Sequence, residues 1–402
     1  MTYYKLDTSL TTLSKDLFSL IIKDNSHNTQ PFVGFSLSNC LKEFKSKIES
    51  SSNWDNIKKY TNSFEFIHTN IPNQKISVSK KKPISRAFFK LIEMSNGLNL
   101  LEPFQSTTIN CFHLAEGPGG FIEAMIHLRN NNDDKYYGMT LINDSNENIP
   151  GWDKIYNLLQ KNKNIIVDSG ADNTGDMFSL VNFDHCYKNY KNSMNLITAD
   201  GGFDFSIDFN KQEQLASNLI LVEILYTIIM QKKGGSCIIK MYDTFTKISI
   251  DIIYFLSSFY KTAYITKPST SRTANSERYL ICEHFKHDDT SEYYTQFRSV
   301  FDFFTVDSDT TIISILSTGF PYKFLNSLEE INSIIALEQI DNIQSTLKFI
   351  NNSDKSYDKL NKLKEVNIQK CISWCIKNRL NHNKFNNVSN KFLNLPHKNT
   401  FC

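Results

Sequence analysis

Strand-like and helix-like segments alternate through the middle of this chain, and their order limits the folds that it can adopt. The extended patterns that helix-length segments separate cover residues 110–115, 135–141, 164–168, 194–200 and 235–242. Strands joined through helices form a mostly parallel sheet with helices on both faces. The last two extended segments, 261–267 and 278–285, are joined by a loop too short for a helical crossover. The sequence therefore predicts an α/β fold whose sheet ends in an antiparallel hairpin at one edge.

The segments on either side of this core have a different character. Residues 1–84 carry mixed helical signals and are interpreted as an N-terminal extension, so the α/β domain is expected at 85–305. Beyond it, apolar residues recur at helical intervals over 325–350 and 357–380, which predicts a helical C-terminal region at 306–402.

Composition excludes few functions. The formal net charge of the 402 residues is only +2, so binding to nucleic acid cannot be argued from the total and requires a local patch. One candidate is the segment from Lys75 to Lys90, which holds six basic residues and no acidic one; a solvated loop that binds nothing explains those charges equally well. The eight scattered cysteines lack the spacing of a zinc site, so we expect reduced thiols, an intracellular protein and no structural metal.

No segment is expected to be a signal peptide or to cross a membrane. The N-terminus lacks a basic region followed by an apolar core. The most apolar run, 219–230, contains Glu223 and is too short to span a bilayer, so it is interpreted as a buried helix.

A glycine-rich turn lies where the first core strand ends and a helix begins. Its sequence is Glu116-Gly-Pro-Gly-Gly-Phe121. Glycines let a backbone approach a ligand closely, and the N–H groups at a helix N-terminus can bind a carboxylate. The spacing differs from G-x-G-x-x-G, which makes a dinucleotide site less suitable. An ordinary turn is the alternative, but the strand before it and the helix after it favour a cofactor loop.

Four charged residues lie at the ends of successive elements in the same core. They are Lys90 in Ser85-Arg-Ala-Phe-Phe-Lys90, Asp200 in Ala199-Asp-Gly-Gly-Phe203, Lys240 in Gly234-Gly-Ser-Cys-Ile-Ile-Lys240, and Glu277 in Thr270-Ser-Arg-Thr-Ala-Asn-Ser-Glu277. With the glycine turn, these motifs give 54–285 a resemblance to the FtsJ-like family of S-adenosylmethionine-dependent RNA ribose 2′-O-methyltransferases. Within that family the chain is most similar to the cap-specific mRNA (nucleoside-2′-O-)-methyltransferases.

The resemblance implies a catalytic tetrad of Lys90, Asp200, Lys240 and Glu277, with Lys240 as the general base. A lysine can act as a base only while part of its population is neutral, which burial or a cationic neighbour such as Lys90 favours. The carboxylates act in the opposite direction, so the sequence does not fix the net effect. Taken singly, each of the four could instead form a surface salt bridge.

The resemblance also assigns a cofactor and the residues around it. S-adenosylmethionine is expected on the glycine turn and beside the loop that follows another strand. The implied cofactor-binding residues are Ala115, Glu116, Gly117, Pro118, Gly119, Gly120, Phe121, Asp176 and Met177. Asp172 rivals Asp176 as the acceptor for the adenine amino group, and either could be an ordinary turn or capping residue. Glu116 ahead of Gly117 departs from the commonest form of the turn.

The implied substrate-binding residues are Asn210, Lys240, Arg272 and Asn275. Arg272 is a candidate phosphate ligand, and Asn210 could equally be a helix N-cap. The expected activity is 2′-O-methylation of ribose at the 5′ end of capped mRNA, at the first transcribed nucleotide. The alternatives are an rRNA or tRNA methyltransferase of the same fold, or a catalytically silent protein that binds RNA or a capping partner.

Capped mRNA is the expected partner, with a capping enzyme or RNA polymerase as a further one. If the protein is cellular, the expected compartment is the nucleus. The heavy use of Asn, Ile and Lys is also compatible with a viral protein. If the protein is viral, the expected place is a cytoplasmic viral factory or the virion.

Overall fold

The computed structural model describes residues 2–9, 11–24, 30–142, 151–202, 209–305, 310–352 and 357–385. The chain forms two compact units. One, the methyltransferase-like unit, consists of residues 1–50 and 83–343; the other, the helical unit, consists of residues 51–82 and 344–402. These units describe compactness, and the domain boundaries that the sequence suggested remain a prediction.

An eight-stranded sheet organises the first unit. In chain order its strands are β1 (Tyr3–Lys5), β3 (Asn110–Leu114), β4 (Lys135–Met139), β5 (Ile165–Val167), β6 (Met194–Ala199), β7 (Gln231–Met241), β8 (Tyr260–Thr266) and β9 (Arg278–Phe285). Across the sheet the order is β1-β8-β9-β7-β6-β3-β4-β5. Five neighbouring strands pair in parallel, in the order β5, β4, β3, β6 and β7 across the sheet. The remaining strands, β9, β8 and β1, are antiparallel to their neighbours. The mostly parallel sheet and the antiparallel β8–β9 hairpin on one side of it are therefore confirmed, with β1 added outside the hairpin.

Two pairings come from the segments around the core. Strand β1, which the sequence did not predict, forms the outer edge of the sheet beside β8. Strands β2 (Phe18–Asp24) and β10 (Thr310–Leu316) form a separate antiparallel pair. The segment before residue 50 thus contributes structure to the methyltransferase-like unit itself.

Eleven α-helices lie within the described residues. They are α1 (Phe35–Glu49), α2 (Trp54–Thr61), α3 (Ala87–Leu98), α4 (Gly120–Arg129), α5 (Tyr156–Lys161), α6 (Leu180–Tyr190), α7 (Gln212–Met230), α8 (Lys247–Ser258), α9 (Tyr294–Thr305), α10 (Tyr322–Asn351) and α11 (Tyr357–Lys377). Helix α7 is the one described helix long and apolar enough to cross a membrane by length and composition, and 78% of its apolar stretch is buried. The helical C-terminal region is confirmed by α10 and α11.

The helical unit packs α2 and a 3₁₀ turn, Glu65–Ile67, against α11. Cys371, Trp374 and Cys375 of α11 are buried, as their helical spacing indicated. The seven cysteines among the described residues are free thiols. No group of three or more His, Cys, Asp or Glu within those residues is placed to hold a metal ion.

A buried polar network ties α10 to the sheet in the methyltransferase-like unit. Arg278, which is fully buried, donates from Nη2 to Asp243 at 3.0 Å and from Nη1 to Asn332 Oδ1 at 2.8 Å. Asn332 also accepts from the Thr244 hydroxyl at 2.6 Å. About two turns further along α10, Gln339 donates to the backbone oxygen of Ala274 at 2.9 Å. The helix thereby holds the chain just before β9.

Replacing Asn332 with Ala is expected to lower the free energy of unfolding by about 1–3 kcal/mol, because a buried guanidinium and a hydroxyl lose their acceptor. Equilibrium denaturation in urea measures the change. The control is Glu329→Ala on the exposed side of the same helix, which is expected to be nearly neutral. Equal losses in both variants would contradict the structural role of the network.

Candidate active site

The four predicted catalytic side chains converge at the carboxyl edge of the parallel strands. Asp200 directly follows β6, and Lys240 lies next to the end of β7, the adjacent strand. Glu277 precedes β9, which pairs with the other side of β7, and Lys90 extends from α3. Ligands of open α/β sheets bind at this edge, because parallel strands end there side by side. The position agrees with a catalytic role.

Glu277 is the anion that the two lysines share. Its Oε2 lies 2.7 Å from Lys90 Nζ and 3.9 Å from Lys240 Nζ. On the far side, Lys240 Nζ lies 3.5 Å from Asp200 Oδ1 and donates to the Asp200 backbone oxygen at 3.2 Å. The charges alternate in the order Lys90, Glu277, Lys240, Asp200. Two ammonium groups with so little exposure are tolerated only because each has a carboxylate within reach.

Tyr279 joins the two ends of this set and was missed in the sequence. Its hydroxyl donates to Asp200 Oδ1 at 2.6 Å and accepts from Lys90 Nζ at 3.1 Å. Tyr279 lies directly opposite Lys240 in the β7–β9 register. Its signal is its place two residues after Glu277, since alternate residues of a strand share a face, but the pairing register that brings it beside Lys240 cannot be read from the sequence.

The charges of the cluster stabilise one another. Burial by itself would lower the pKa of Lys240, but the groups around it, Asp200 first, raise that pKa above the usual value for a lysine. Burial opposes the charged form of Glu277, yet Lys90 and then Lys240 hold the pKa of that carboxyl well below its usual range. Lys240 is therefore an ammonium in this state of the protein.

The loop between β8 and β9 is fixed from both sides. Glu93 of α3 accepts from the backbone N–H groups of Ser269 and Thr270 at 3.0 and 3.1 Å. Ser271 donates to Glu277 Oε1 at 2.6 Å, which orients the shared carboxylate. This loop therefore presents a preorganised edge to the cluster.

Two predicted substrate-binding residues, Arg272 and Asn275, lie on the same loop. Asn275 is held through Lys267, which donates to its backbone oxygen at 2.5 Å and to its Oδ1 at 3.0 Å. The backbone N–H of Asn275 bonds to the Arg272 oxygen at 3.2 Å. Both residues are half-buried, and Asn275 lies two residues before Glu277 in the chain.

The third, Asn210, lies on a different segment, the 3₁₀ turn Phe209–Lys211 before α7. It is not the N-cap of α7, whose N-cap position is occupied by Lys211. Its Nδ2 donates to Ser46 of α1 at 3.0 Å, so the N-terminal helix lies beside the segment that follows Asp200. The intervening residues 203–208, which include Phe203 at the end of the Ala199–Phe203 motif, lie outside the described residues.

The glycine turn joins β3 to α4, as predicted, but it differs in one respect. Glu116 Oε1 accepts from the backbone N–H groups of Phe121 and Ile122 at 2.7 and 3.1 Å. The helix N-terminus that we expected to be open to a ligand carboxylate is thus capped by the chain's own glutamate. Burial raises the pKa of Glu116 to about 8, against the effect of these hydrogen bonds. The departure at Glu116 therefore has a structural role.

Glycine is required at two positions of this turn. Gly119 has φ 106°, and a side chain there would begin 2.5 Å from Ile155 Cδ1. A Cβ on Gly120, at the start of α4, would lie 2.1 Å from Ser85 Oγ and 3.1 Å from Ala87 Cβ. We expected ligand space to exclude side chains from the turn, but here the neighbouring protein atoms already do so. Ala115, with φ 49°, makes the bend that leads into it.

The loop after β5 distinguishes the two aspartates proposed for adenine recognition. Asp172 accepts from Thr174, Ser179 and Asn182, which is the work of a turn-stabilising residue. The Asp176 carboxylate accepts fewer hydrogen bonds: its Oδ1 accepts from the Phe178 N–H at 2.9 Å. Met177 beside it is buried. Asp176 therefore keeps more of its carboxylate for a ligand than Asp172 does.

A further carboxylate, Glu223 of α7, reaches the same region. It is 1% exposed, and its Oε1 has no hydrogen-bond partner among the described residues. A Cβ built on Gly201 would lie 2.4 Å from this oxygen and 2.9 Å from Ala115 Cβ, so the three residues meet between the loops after β3 and β6. Burial, together with Asp200, raises the pKa of Glu223 to about 8 despite the opposing charge of Lys240. The sequence had marked Glu223 only as an interruption in an apolar helix.

The carboxylates on this side of the cluster suit a positively charged small molecule. Glu116, Asp200 and Glu223 all lie around the loops after β3 and β6, and Glu223 offers a buried oxygen without a partner. A cationic group placed there would pair with that oxygen and lower the pKa of both glutamates, so that they ionise when the site is occupied. The residues present therefore fit a cofactor that carries ammonium and sulfonium charges.

Comparison with known proteins agrees with the sequence motifs. The FtsJ-like methyltransferase family matches residues 83–285, half of the chain. A cap-specific mRNA (nucleoside-2′-O-)-methyltransferase 1 of Leishmania braziliensis is 36% identical over 175 residues, which is 42% of each chain. Another, from Trypanosoma cruzi, is 29% identical over 63% of this chain and 72% of its own length. The resemblance inferred from the motifs is confirmed.

A cap-specific mRNA (nucleoside-2′-O-)-methyltransferase 2 of Drosophila melanogaster is 25% identical over 69% of this chain. The match covers 41% of that protein, so the chain spans about two fifths of the length of the Leishmania and Drosophila relatives.

Replacing Glu223 with Gln is expected to make stability less dependent on pH. In the folded protein Glu223 keeps its proton up to a pH of about 8, whereas an unfolded glutamate releases it near 4.5. The folded state therefore binds more protons between these values, and stability falls as the pH rises through that window. Glutamine cannot ionise, so the gain in melting temperature over the wild type should be several degrees larger at pH 8 than at pH 5. Thermal unfolding of the cofactor-free protein measures it.

The matched control is Glu102→Gln, which changes an exposed glutamate. Its melting temperature relative to the wild type should not vary between the two pH values. No difference in Glu223→Gln would show that Glu223 is ionised in the folded protein, and the same difference in both variants would show that the effect does not come from the burial of Glu223.

Proposed function

The chain belongs to the FtsJ-like methyltransferase family, and from that premise we propose that it methylates the ribose 2′-hydroxyl at the 5′ end of capped mRNA, at the first transcribed nucleotide. The observation that carries the proposal is the closed cluster of Lys90, Glu277, Lys240 and Asp200 at the carboxyl edge of the sheet. The cap-specific names of the relatives support the choice of RNA. Because those matches cover only part of some relatives, activity on capped mRNA is itself part of the proposal.

S-adenosylmethionine is the proposed cofactor, and it would supply a methyl group on a positively charged sulfur. The residues proposed to hold it are those of the turn from Ala115 to Phe121, together with Asp176 and Met177 of the loop after β5. The fit rests on two carboxyl groups that a bound cation would ionise: burial raises the pKa of Glu116 and of Glu223 to about 8, and a cationic ligand beside them and Asp200 would lower both values and pair with the carboxylates.

Lys240 is the proposed general base. To accept the proton of the 2′-hydroxyl it must first be neutral, yet in the free protein its pKa is raised by Asp200 and the other anions around it. A bound positive charge on the Asp200 side would oppose those anions and lower the pKa of Lys240 towards the range of a base. Activation of Lys240 is therefore expected to depend on an occupied cofactor site.

Lys90 and Tyr279 have positioning roles in this proposal. Lys90 takes the shorter contact to Glu277, 2.7 Å against 3.9 Å, so Glu277 is held mainly by Lys90. Tyr279 occupies Asp200 Oδ1 through its hydroxyl, which keeps that carboxylate from closing fully on Lys240. Both contacts place the Lys240 amine without neutralising it. Asn210, Arg272 and Asn275 are the proposed contacts to the RNA.

Replacing Lys240 with Met is expected to reduce methyl transfer at least about a hundredfold, because the side-chain length is kept while the base is removed. Cofactor affinity, measured by calorimetry, should not fall and should rise, because the variant lacks the ammonium group that the cofactor's positive charge would oppose. Lys261→Met, an exposed lysine on β8, is the matched control and should leave both quantities unchanged. Wild-type turnover by Lys240→Met would show that another group takes the proton.

The substrate is tested with one short transcript prepared with a 5′ cap and with a 5′ triphosphate. Incubation with labelled cofactor should label the capped form, and mass mapping should place the methyl group on the first transcribed nucleotide. Equal labelling of the two forms would favour an rRNA or tRNA methyltransferase of the same fold. A folded protein that bound no cofactor would favour the catalytically silent alternative.

A further inference from the structure

The total charge is nearly neutral because the two units carry opposite net charges. Residues 51–82 and 344–402, the helical unit, contain 17 Lys and Arg against 5 Asp and Glu, a net charge of +12. The remaining residues, 1–50 and 83–343, contain 27 Lys and Arg against 37 Asp and Glu, a net charge of −10. The charge is therefore divided along the structural boundary between the units.

Most of the basic side chains described in the helical unit are exposed. The exposed ones are Lys75, Lys80, Lys82, Lys348, Lys359, Lys362, Lys370, Lys377, Arg379 and Lys384. Of the acidic residues there, Glu65 is buried and accepts from the Thr69 hydroxyl, and Asp55 forms an ion pair with Lys58 of its own helix. The few negative charges are thus partly withdrawn from the surface that the lysines occupy.

Backbone pairing joins two basic segments that are about 300 positions apart in the sequence. Ser79 and His382 form an antiparallel bridge, and the N–H of Lys80 donates to the Asn381 oxygen at 2.9 Å. The N–H of Asn383 donates to the Val78 oxygen at 2.9 Å on the other side of the bridge. The segment with Lys80 to Lys82 therefore lies directly beside the segment with Arg379 and Lys384. The sequence had shown only the first of these segments as a basic cluster.

A solvated surface does not explain this division. Solubility is served by charge of either sign, and a surface that only faces water mixes both. An RNA substrate, however, is a polyanion, and a methyltransferase-like unit with a net charge of −10 repels it at long range. Positive charge concentrated in the helical unit would offset that repulsion and bind phosphates whatever the base sequence.

We propose that the helical unit is an RNA-binding site that contacts the phosphate backbone of the transcript through the joined surface around the Ser79–His382 bridge. Binding there would not depend on the cap or on the bases. The proposal rests on the proposed function for the identity of the RNA as a methylation substrate, but the binding itself can be measured without chemistry.

The test uses the full chain with four charges removed from the helical unit: Lys75→Gln, Lys80→Gln, Lys377→Gln and Lys384→Gln. All four side chains are exposed. The matched control removes four exposed lysines from the methyltransferase-like unit, away from the carboxyl edge of the sheet: Lys135→Gln, Lys161→Gln, Lys163→Gln and Lys188→Gln. Both variants have the same net charge, so only the place of the charges differs.

Fluorescence anisotropy with a labelled single-stranded RNA, capped and uncapped, measures affinity over a range of salt concentrations. The helical-unit variant should bind both RNAs about tenfold more weakly, and the slope of log affinity against log salt should flatten by up to about three units, since each lost phosphate contact removes about 0.7. The control should stay within about twofold of wild type. Equal weakening in both variants, or none in the helical-unit variant, would overturn the proposal.

Two further readouts separate this inference from the proposed function. Single-turnover methyl transfer at saturating RNA should be unchanged in the helical-unit variant, because only binding is affected. A protein that methylates no RNA but still shows the difference in affinity would refute the proposed function and keep the RNA site. Polyglutamate tests the alternative that this surface binds an acidic protein. If polyglutamate binds the wild-type helical unit but RNA affinity is insensitive to the four substitutions, that alternative holds and the proposal is wrong.

Discussion

The candidate site depends on one carboxylate that two lysines share, one of them buried and the other half-buried. Glu277 lies within reach of Lys90 and Lys240, and without it the enclosed ammonium groups would face each other with only Asp200 to balance them. Much of the surrounding structure serves to hold that carboxylate in place. Ser271 bonds its other oxygen, and Glu93 fixes the loop on which both Ser271 and Glu277 lie.

This arrangement also explains why the site needs a sheet of mixed direction. Parallel strands bring Asp200 and Lys240 to one edge of the sheet. Glu277 reaches the same edge because it directly precedes a strand that starts there and runs antiparallel to β7. That strand, β9, also places Tyr279 opposite Lys240. The edge hairpin is thus part of the site's geometry as well as of the fold.

The sequence predicted what local pattern controls. Strands between helices, the short hairpin loop and the helical spacing of Cys371 and Trp374 are all properties of contiguous segments, and the structure has them. What it could not predict depends on register or on distant pairing. Tyr279 needed the β7–β9 register, and β1 is three residues long, too short for a periodic signal. The sequence did not identify Glu223 as a site residue, because it lies within an apolar helix. The capping role of Glu116 depends on the position of α4, which the sequence does not specify.

The network between β9 and α10 has a consequence for the order in which the protein is made. Arg278 precedes Asn332 and Gln339 in the chain, and a ribosome releases residues from the N-terminus onward. Until α10 has emerged, the buried guanidinium lacks its amide acceptor, and the segment before β9 lacks the hydrogen bond to Ala274. The catalytic edge is therefore completed late in translation, so a nascent chain that ends before residue 339 would carry all four charged residues of the cluster without the hydrogen bond from α10 to the loop that holds Glu277.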